Sequence, residues 1–263
     1  MLTNLPRLQR SLLSNDPWLF LSPHLDDAVL SCGALIKESS RARDVTVATI
    51  FTETTAPPHT RAARTFVGQC RAPDADTLFA ARKVEDRQVL EELGVRYVHL
   101  GLADALFRLR HPTPGSQLVK RFLPELVYRY PTYRFDIALG RISRGDRALI
   151  ADLRAQVGDL LQQTKAELLF CPLGTGRHVD HLITRMVGSS FPDRVVYYAD
   201  FPYSMSFPLD ERFVRENVLE SGTFDQELAA KEAMIRGYGT QAAALFPDGE
   251  IPAVPETYYA ALV

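Results

Sequence analysis

Apolar positions along the chain alternate between two periodicities. Short runs rich in leucine, phenylalanine and β-branched residues predict strands at 19–21, 45–51, 97–100, 168–171 and 195–198. Between them, apolar residues recur every three or four positions, the spacing of one helix face. Ala28, Val29, Cys32, Leu35 and Ile36 predict a helix over 26–39, and Leu78, Ala81, Val84, Leu90 and Leu93 another over 77–93, stopped by Gly94. Leu149, Leu153, Val157, Leu160 and Leu161 predict a helix over 147–165, and further helices are expected at 179–187 and about 225–237. The stretch 103–145 has a helical patch at 118–128, split by Pro124, among proline and arginine punctuation. Residues 52–76 contain Pro57, Pro58 and Pro73 and show no element, so they are expected as a long loop, a length often used for active-site lids.

Repeated strand–helix units predict an α/β fold: a Rossmann-like, mostly parallel sheet with helices on both faces. No internal repeat or low-complexity linker divides the 263 residues, so a single domain over 1–263 is expected. In open sheets of this kind, ligands bind outside the carboxyl ends of the strands. Two clusters of ionisable residues fall there. The first is Pro23-His24-Leu25-Asp26-Asp27, after the first strand; the second is His178-Val179-Asp180-His181, after the strand at 168–171 and the loop 172–177.

Together the clusters offer three histidines and three aspartates. A catalytic zinc takes three protein ligands and keeps a position open for water. A carboxylate beside the ion that is not a ligand can then accept the proton of that water. Nitrogen and oxygen ligands also suit iron, manganese or cobalt. Plainer roles exist for each cluster: Asp26 or Asp27 as a helix cap, and 178–181 as an ordinary polar helix start. These account for either cluster alone but poorly for both at equivalent strand ends.

Composition narrows the classes. The formal net charge is -2, from 30 basic and 32 acidic residues, which argues against a nucleic-acid partner. The densest arginine stretch, Arg141, Arg144, Arg147 and Arg154, is interleaved with Asp146 and Asp152 and reads as a solvated helix face. Three cysteines form no CxxC pair and are expected as free thiols, consistent with a cytoplasmic location. No apolar run approaches the roughly 20 residues that span a bilayer, so no membrane insertion is expected. A nucleotide-binding Gly-x-Gly-x-x-Gly after the first strand and a Gly-x-Ser-x-Gly elbow are both missing, which disfavours a dinucleotide enzyme and a serine hydrolase.

PHLDD with a small-residue helix after it, and HVDH downstream, resemble the N-acetylglucosaminyl-phosphatidylinositol de-N-acetylase superfamily (PIG-L, or LmbE-like), whose blocks read PHxDD or HPDD and HxDH. ARKVEDRQVLEELGV, GLADALFR, YADFPYS and KEAMIRGYGTQ resemble further family segments in the same order, from residue 18 to residue 245. The resemblance implies a Rossmann-like fold and one zinc ion per chain, with Fe2+ or Mn2+ admitted by the same donors. It implies His24, Asp27 and His181 as metal ligands, Asp26 as general base, His178 as oxyanion donor or acid, and Asp180 as the residue orienting His178. Arg82 and Asp104 are candidate substrate contacts. For Arg82 the plainer role is a surface pair with Glu85 or Asp86, and for Asp104 a helix cap. Where some family members carry a tyrosine, two residues before the first histidine of HxDH, this chain has Gly176, and Tyr198 or Tyr203 is expected to substitute. The implied activity is removal of an N-acetyl group from a small-molecule amino sugar or its conjugate, for a thiol cofactor or a secondary metabolite. The alternatives are an amidase acting on a larger amide, such as a thiol S-conjugate, and a non-catalytic sugar-binding α/β protein. A homo-oligomer is compatible with all of these.

Overall fold

The computed structural model describes residues 5–111 and 115–261. In chain order its elements are α1 (Pro6–Leu13), β1 (Trp18–Ser22), α2 (Asp27–Ser39), β2 (Val45–Glu53), α3 (Arg61–Gln69), α4 (Ala75–Glu92) and β3 (Arg96–Ala103). A 3-10 turn at Ala105–Phe107, α5 (Ser116–Phe122) and three further short turns then lead to α6 (Arg147–Thr164), β4 (Leu168–Pro172), α7 (Val179–Gly188) and β5 (Val195–Tyr198). The chain continues through α8 (Glu211–Glu216), β6 (Leu219–Phe224), α9 (Leu228–Arg236), α10 (Gly239–Leu245) and β7 (Glu256–Ala261).

The strands form one seven-stranded sheet in the order β3-β2-β1-β4-β5-β7-β6. The first five in that order run parallel. β7 pairs antiparallel with both β5 and β6. The predicted α/β class and parallel core are therefore present, and an antiparallel margin is added to them.

β1 is buried along its whole length, and its alternate side chains serve opposite faces. Trp18 and Phe20 pack with Ala28, Val29, Cys32, Leu35 and Ile36 of α2, while Leu19 and Leu21 pack with Leu153, Val157 and Leu160 of α6. Phe20 stacks on Phe170 of the neighbouring β4, ring centroids 4.1 Å apart. Burying each such side chain contributes roughly 1.5–3 kcal/mol, so the central strands anchor both layers. Among the described residues no helix is long and apolar enough to cross a membrane.

Two expectations are corrected. Residues 52–76 are not a loop without structure: they contain α3, capped by Thr60, whose Oγ1 accepts the Ala63 N–H at 3.2 Å. Ala63 and Val67 are its buried face, a stripe too small to stand out among three polar arginine and threonine positions. Asp146 is not on a solvated face. It is 1% exposed at the start of α6, although Arg141, Arg144, Arg147 and Arg154 are exposed as expected.

β1 and β4 are neighbours, yet the chain leaves β1 toward β2 on one side and reaches β5 from β4 on the other. The connections diverge between them and leave a crevice at their carboxyl ends, the general position of ligand sites in such sheets. Both ionisable clusters follow these two strands.

Candidate metal and active site

The loop after β1 is shaped by its own polar groups. Ser22 Oγ donates to the His24 carbonyl at 2.6 Å and accepts the Ala28 N–H at 2.9 Å. Ser22 thus caps α2, and neither Asp26 nor Asp27 is spent on that task; Asp26 makes no side-chain cap bond. The Asp27 carboxylate turns back into the crevice, where Oδ2 accepts the His24 N–H at 2.8 Å.

That same oxygen is 3.0 Å from His24 Nδ1 and 3.2 Å from His181 Nε2. Imidazole nitrogens from the loop after β1 and from α7 thus face one oxygen of Asp27 on α2, and His24 with His178 and His181, like His24 with Asp104 and Asp180, bring ligand atoms within 4.8 Å of one another. The opposite nitrogen of each imidazole faces a carboxylate. His24 Nε2 is 3.2 Å from Asp180 Oδ2 and 3.5 Å from Asp104 Oδ2. His181 Nδ1 is 2.6 Å from Asp200 Oδ1, while Asp200 Oδ2 accepts the Gly174 and Thr175 N–H groups at 2.8 and 2.7 Å. Metal-binding histidines characteristically have such a carboxylate behind the ring.

The electrostatics agree with a cation position. Burial opposes the charged form of His24, but Asp180 and Asp27 overcome it and raise its pKa to about 10. His181 is likewise pushed well up, with Asp27 and Asp200 outweighing burial. Burial would raise Asp27, yet the two imidazoles hold it well below the usual carboxylate range. The negative field that draws protons onto both rings is one that a divalent cation could occupy in their place, since a metal requires neutral imidazoles. The donor set fits zinc, and also iron or manganese.

Asp26 stands apart from the convergence point. Burial raises its pKa to about 6, against the pull of Arg82, whose Nη2 is 3.6 Å from Oδ1. Arg82 is accordingly not a surface partner of Glu85 or Asp86: it is 3% exposed and turned to Asp26. Asp104 does act as a cap, its Oδ1 accepting the Leu106 N–H at 2.8 Å, while Oδ2 remains directed at His24.

His178 also combines two roles. Its Nδ1 accepts the Asp180 backbone N–H at 3.2 Å at the start of α7, which leaves Nε2 to carry the proton. Burial, reinforced by His24, holds its pKa well below the ordinary value. A neutral ring with a fixed N–H is a hydrogen-bond donor. The expected partnership between Asp180 and His178 exists only through that backbone group. The Asp180 carboxylate instead meets His24, the Ala105 N–H at 2.9 Å and Arg108 Nη2 at 2.5 Å.

A cavity of about 1110 Å³ opens over these groups. His24, Asp26, Asp27, Arg82, Asp104, His178 and His181 all line it, and Asp180 lies behind them with no exposed surface. Phe66, Gln69 and Cys70 bring α3 to its wall, so the 52–76 segment borders the cavity as expected, as a helix. Gly176 has φ +83°, and a Cβ there would lie 3.2 Å from Tyr203 Cβ. Tyr203 covers the glycine and lines the cavity, together with Tyr133. Tyr198 does not reach it: its hydroxyl is buried and donates to the Leu21 carbonyl at 2.8 Å.

Asp200 and Arg108 carried little sequence signal. Asp200 is the aspartate of YADFPYS just after β5, the next strand outward; the segment resembles one of the family's, but the resemblance gave its aspartate no role. Arg108 follows Asp104 by one helical turn in GLADALFR.

The sequence model of the family described as PIG-L, GlcNAc-PI de-N-acetylase, matches residues 19–191. The 2'-N-acetylparomamine deacetylase of Streptomyces fradiae is 26% identical over 204 residues, which are 75% of this chain and 61% of that protein. The chain thus spans about 61% of the length of that curated relative. A deacetylase solved with teicoplanin, from the teicoplanin biosynthesis pathway, has a TM-score of 0.70 at 21% identity, with 92% of this chain and 97% of that one covered. A zinc-inhibited form of a teicoplanin deacetylase has the same TM-score and coverage at 20% identity. The last two likenesses bear on the fold.

Proposed function

The chain belongs to the PIG-L family of de-N-acetylases, and from that premise we propose that it is a zinc-dependent hydrolase removing the N-acetyl group of an amino sugar carried on a larger conjugate. The observation that carries this reading is the meeting of His24, Asp27 and His181 at one Asp27 oxygen, with Asp26 and His178 beside it on a single cavity. His24, Asp27 and His181 would hold the ion, and Asp200 and Asp180 would orient the two rings. When bound, the ion supplies Lewis acidity toward the amide carbonyl and lowers the pKa of a water.

The protein's own groups do the rest. Asp26, a carboxylate near neutral pH but not a strongly acidic one, accepts the proton of the attacking water. Arg82 holds Asp26 in place and balances its charge. The Nε2–H of His178 donates to the carbonyl oxygen as negative charge develops there. The amine leaves with the proton that Asp26 took up. Asp104, beside the site, is suited to accept from a sugar hydroxyl.

Size supports a conjugate over a free monosaccharide. Ordinary ligand pockets measure about 300–1,000 Å³, and this one reaches about 1110 Å³ with Phe66, Leu106, Tyr133, Phe135 and Leu245 on its walls. The paromamine relative is named as a deacetylase of an N-acetylated compound, and the teicoplanin enzyme as a deacetylase of a biosynthesis pathway. The same volume also admits a second reading, an amidase removing a longer acyl group.

The test is mass spectrometry of zinc-reconstituted protein incubated with N-acetylglucosaminyl conjugates, the free sugar and N-acyl homologues. Loss of one acetyl group, with release of acetate, is expected for a conjugate. Exclusive cleavage of longer acyl groups would transfer the assignment to the amidase reading, and intact substrates throughout would refute both. Because a related fold is described in a zinc-inhibited form, zinc should be titrated from below one equivalent upward.

A further inference from the structure

A chain of buried charges leads away from the site to the start of α6. Arg108, with its side chain 5% exposed, lies between two carboxylates: Nη2 donates to Asp180 Oδ1 at 2.5 Å, and Nη1 to Asp146 Oδ2 at 3.1 Å. Nε and Nη2 also donate to the Ala103 carbonyl at 3.2 and 3.0 Å, and the guanidinium lies over the Phe51 ring, 4.6 Å from its centroid. Every edge of the fork is therefore engaged, and the group has one available position. Asp146 is held in turn by the Tyr130 hydroxyl and by Arg129 Nη1 at 3.3 Å.

The far end of this chain is His24. For Nδ1 to offer a lone pair beside Asp27, the ring proton must reside on Nε2, and that requires an acceptor fixed behind the ring. The acceptor is Asp180, whose Oδ2 is 3.2 Å from Nε2 and whose side chain has no contact with solvent. Water cannot compensate a carboxylate so placed, and one fixed cation does so. Arg108 is that cation, and its other edge is fixed by a second carboxylate, Asp146, which Arg129 balances in turn.

We propose that Arg108, held by Asp146, is a positioning residue of the metal site, fixing Asp180 so that His24 is presented to the ion through Nδ1. The proposal rests on the metal-binding reading above. It gives Arg108 no contact with substrate; its effect passes through Asp180 and His24.

Zinc affinity is measured on folded protein by competition with a chromophoric chelator, and ligand geometry by the absorption spectrum of the cobalt-substituted protein. Arg108→Met is expected to weaken zinc binding roughly 10–100-fold, the usual effect of removing a group behind a metal ligand, and to alter the cobalt bands. Arg108→Lys should recover part of the affinity, and Asp146→Asn should change it in the same direction. Introduced into Asp180→Asn, Arg108→Met should add little. Lys231→Met, which removes a buried cation paired with Glu256 and not with Asp180 or Asp146, should lower stability without changing affinity or spectrum. Wild-type affinity and spectrum in Arg108→Met would overturn the proposal, as would full additivity with Asp180→Asn. If Arg108→Met does not fold, wild-type behaviour of both Arg108→Lys and Asp146→Asn would overturn it. Protein that binds zinc yet deacetylates nothing would remove the functional reading and leave this one standing. Variants that bind as wild type while the parent deacetylates would do the reverse.

Discussion

Asp27 presents one oxygen to three nitrogens, whereas Asp26, among the described residues, pairs with the Arg82 guanidinium at 3.6 Å and otherwise faces the cavity. Substitution should separate the two neighbours. Asp26→Asn keeps the shape and removes the proton acceptor, so zinc content should be retained while kcat falls roughly 10²–10⁴-fold. Asp27→Asn should lose zinc and activity together, with partial recovery in excess zinc. Metal analysis beside steady-state kinetics decides this, and an Asp26→Asn protein that loses its zinc would reverse the roles. Asp200→Asn tests the support behind His181: zinc affinity should drop roughly 10–100-fold, and unchanged affinity in chelator competition would show that the 2.6 Å contact does not orient the ring. The residues of the convergence point were legible because PHLDD and HVDH concentrate rare polar types at two strand ends. Their supports were not. YADFPYS matches the family as a segment without a role for Asp200, and Asp180 was read as the partner of His178 because chain proximity says nothing of a carboxylate that turns toward His24.

At the level of elements, periodicity located what has one large apolar face. The strand at 195–198 and the helices α2, α6 and α7 lie where their apolar spacing placed them, to within one or two residues. It failed where an element is short or nearly polar. α3 buries only Ala63 and Val67, and β6 and β7, LESGTF and ETYYAA, carry few of the apolar residues that mark a central strand. Residues 52–76 were expected as a loop serving as a lid, yet the approach to α3 is fastened: the Thr55 hydroxyl donates to the Phe107 carbonyl at 2.8 Å, Lys120 donates to the Ala56 carbonyl, and His59 Nδ1 is 2.9 Å from the Tyr128 hydroxyl. Its start depends on Thr60. Thr60→Ala removes the acceptor of the Ala63 N–H and should cost about 1 kcal/mol in urea denaturation, with faster amide exchange confined to α3. Because Phe66 and Gln69 of this helix line the cavity, KM should rise more than kcat falls. Uniform exchange and unchanged kinetics would mean that the wall is held by its packing alone.

For the whole molecule, the antiparallel margin is bound into the core by Glu256 of β7. Its carboxylate, without exposed surface, pairs with Lys231 Nζ at 3.1 Å, accepts the Ala34 and Leu35 N–H groups of α2 at 2.9 and 3.0 Å, and accepts from the Tyr258 hydroxyl at 2.7 Å. Glu256→Ala leaves the buried Lys231 charge without its carboxylate and should cost about 3–5 kcal/mol in equilibrium unfolding; a loss below about 1 kcal/mol would show that water reaches the lysine. β7 also lies between β5 and β6 although it follows both in the chain. This has a consequence for synthesis on the ribosome, where structure forms from the N-terminal side first. Once residue 200 has emerged, the nascent chain holds His24, Asp27, His181 and both carboxylates behind the rings. The free edge of β5, however, stays open until residues 256–261 arrive, and an unpaired strand edge is a template for pairing with other chains. The pace of translation across that interval should therefore govern how much newly made protein aggregates, independently of the stability it has once complete.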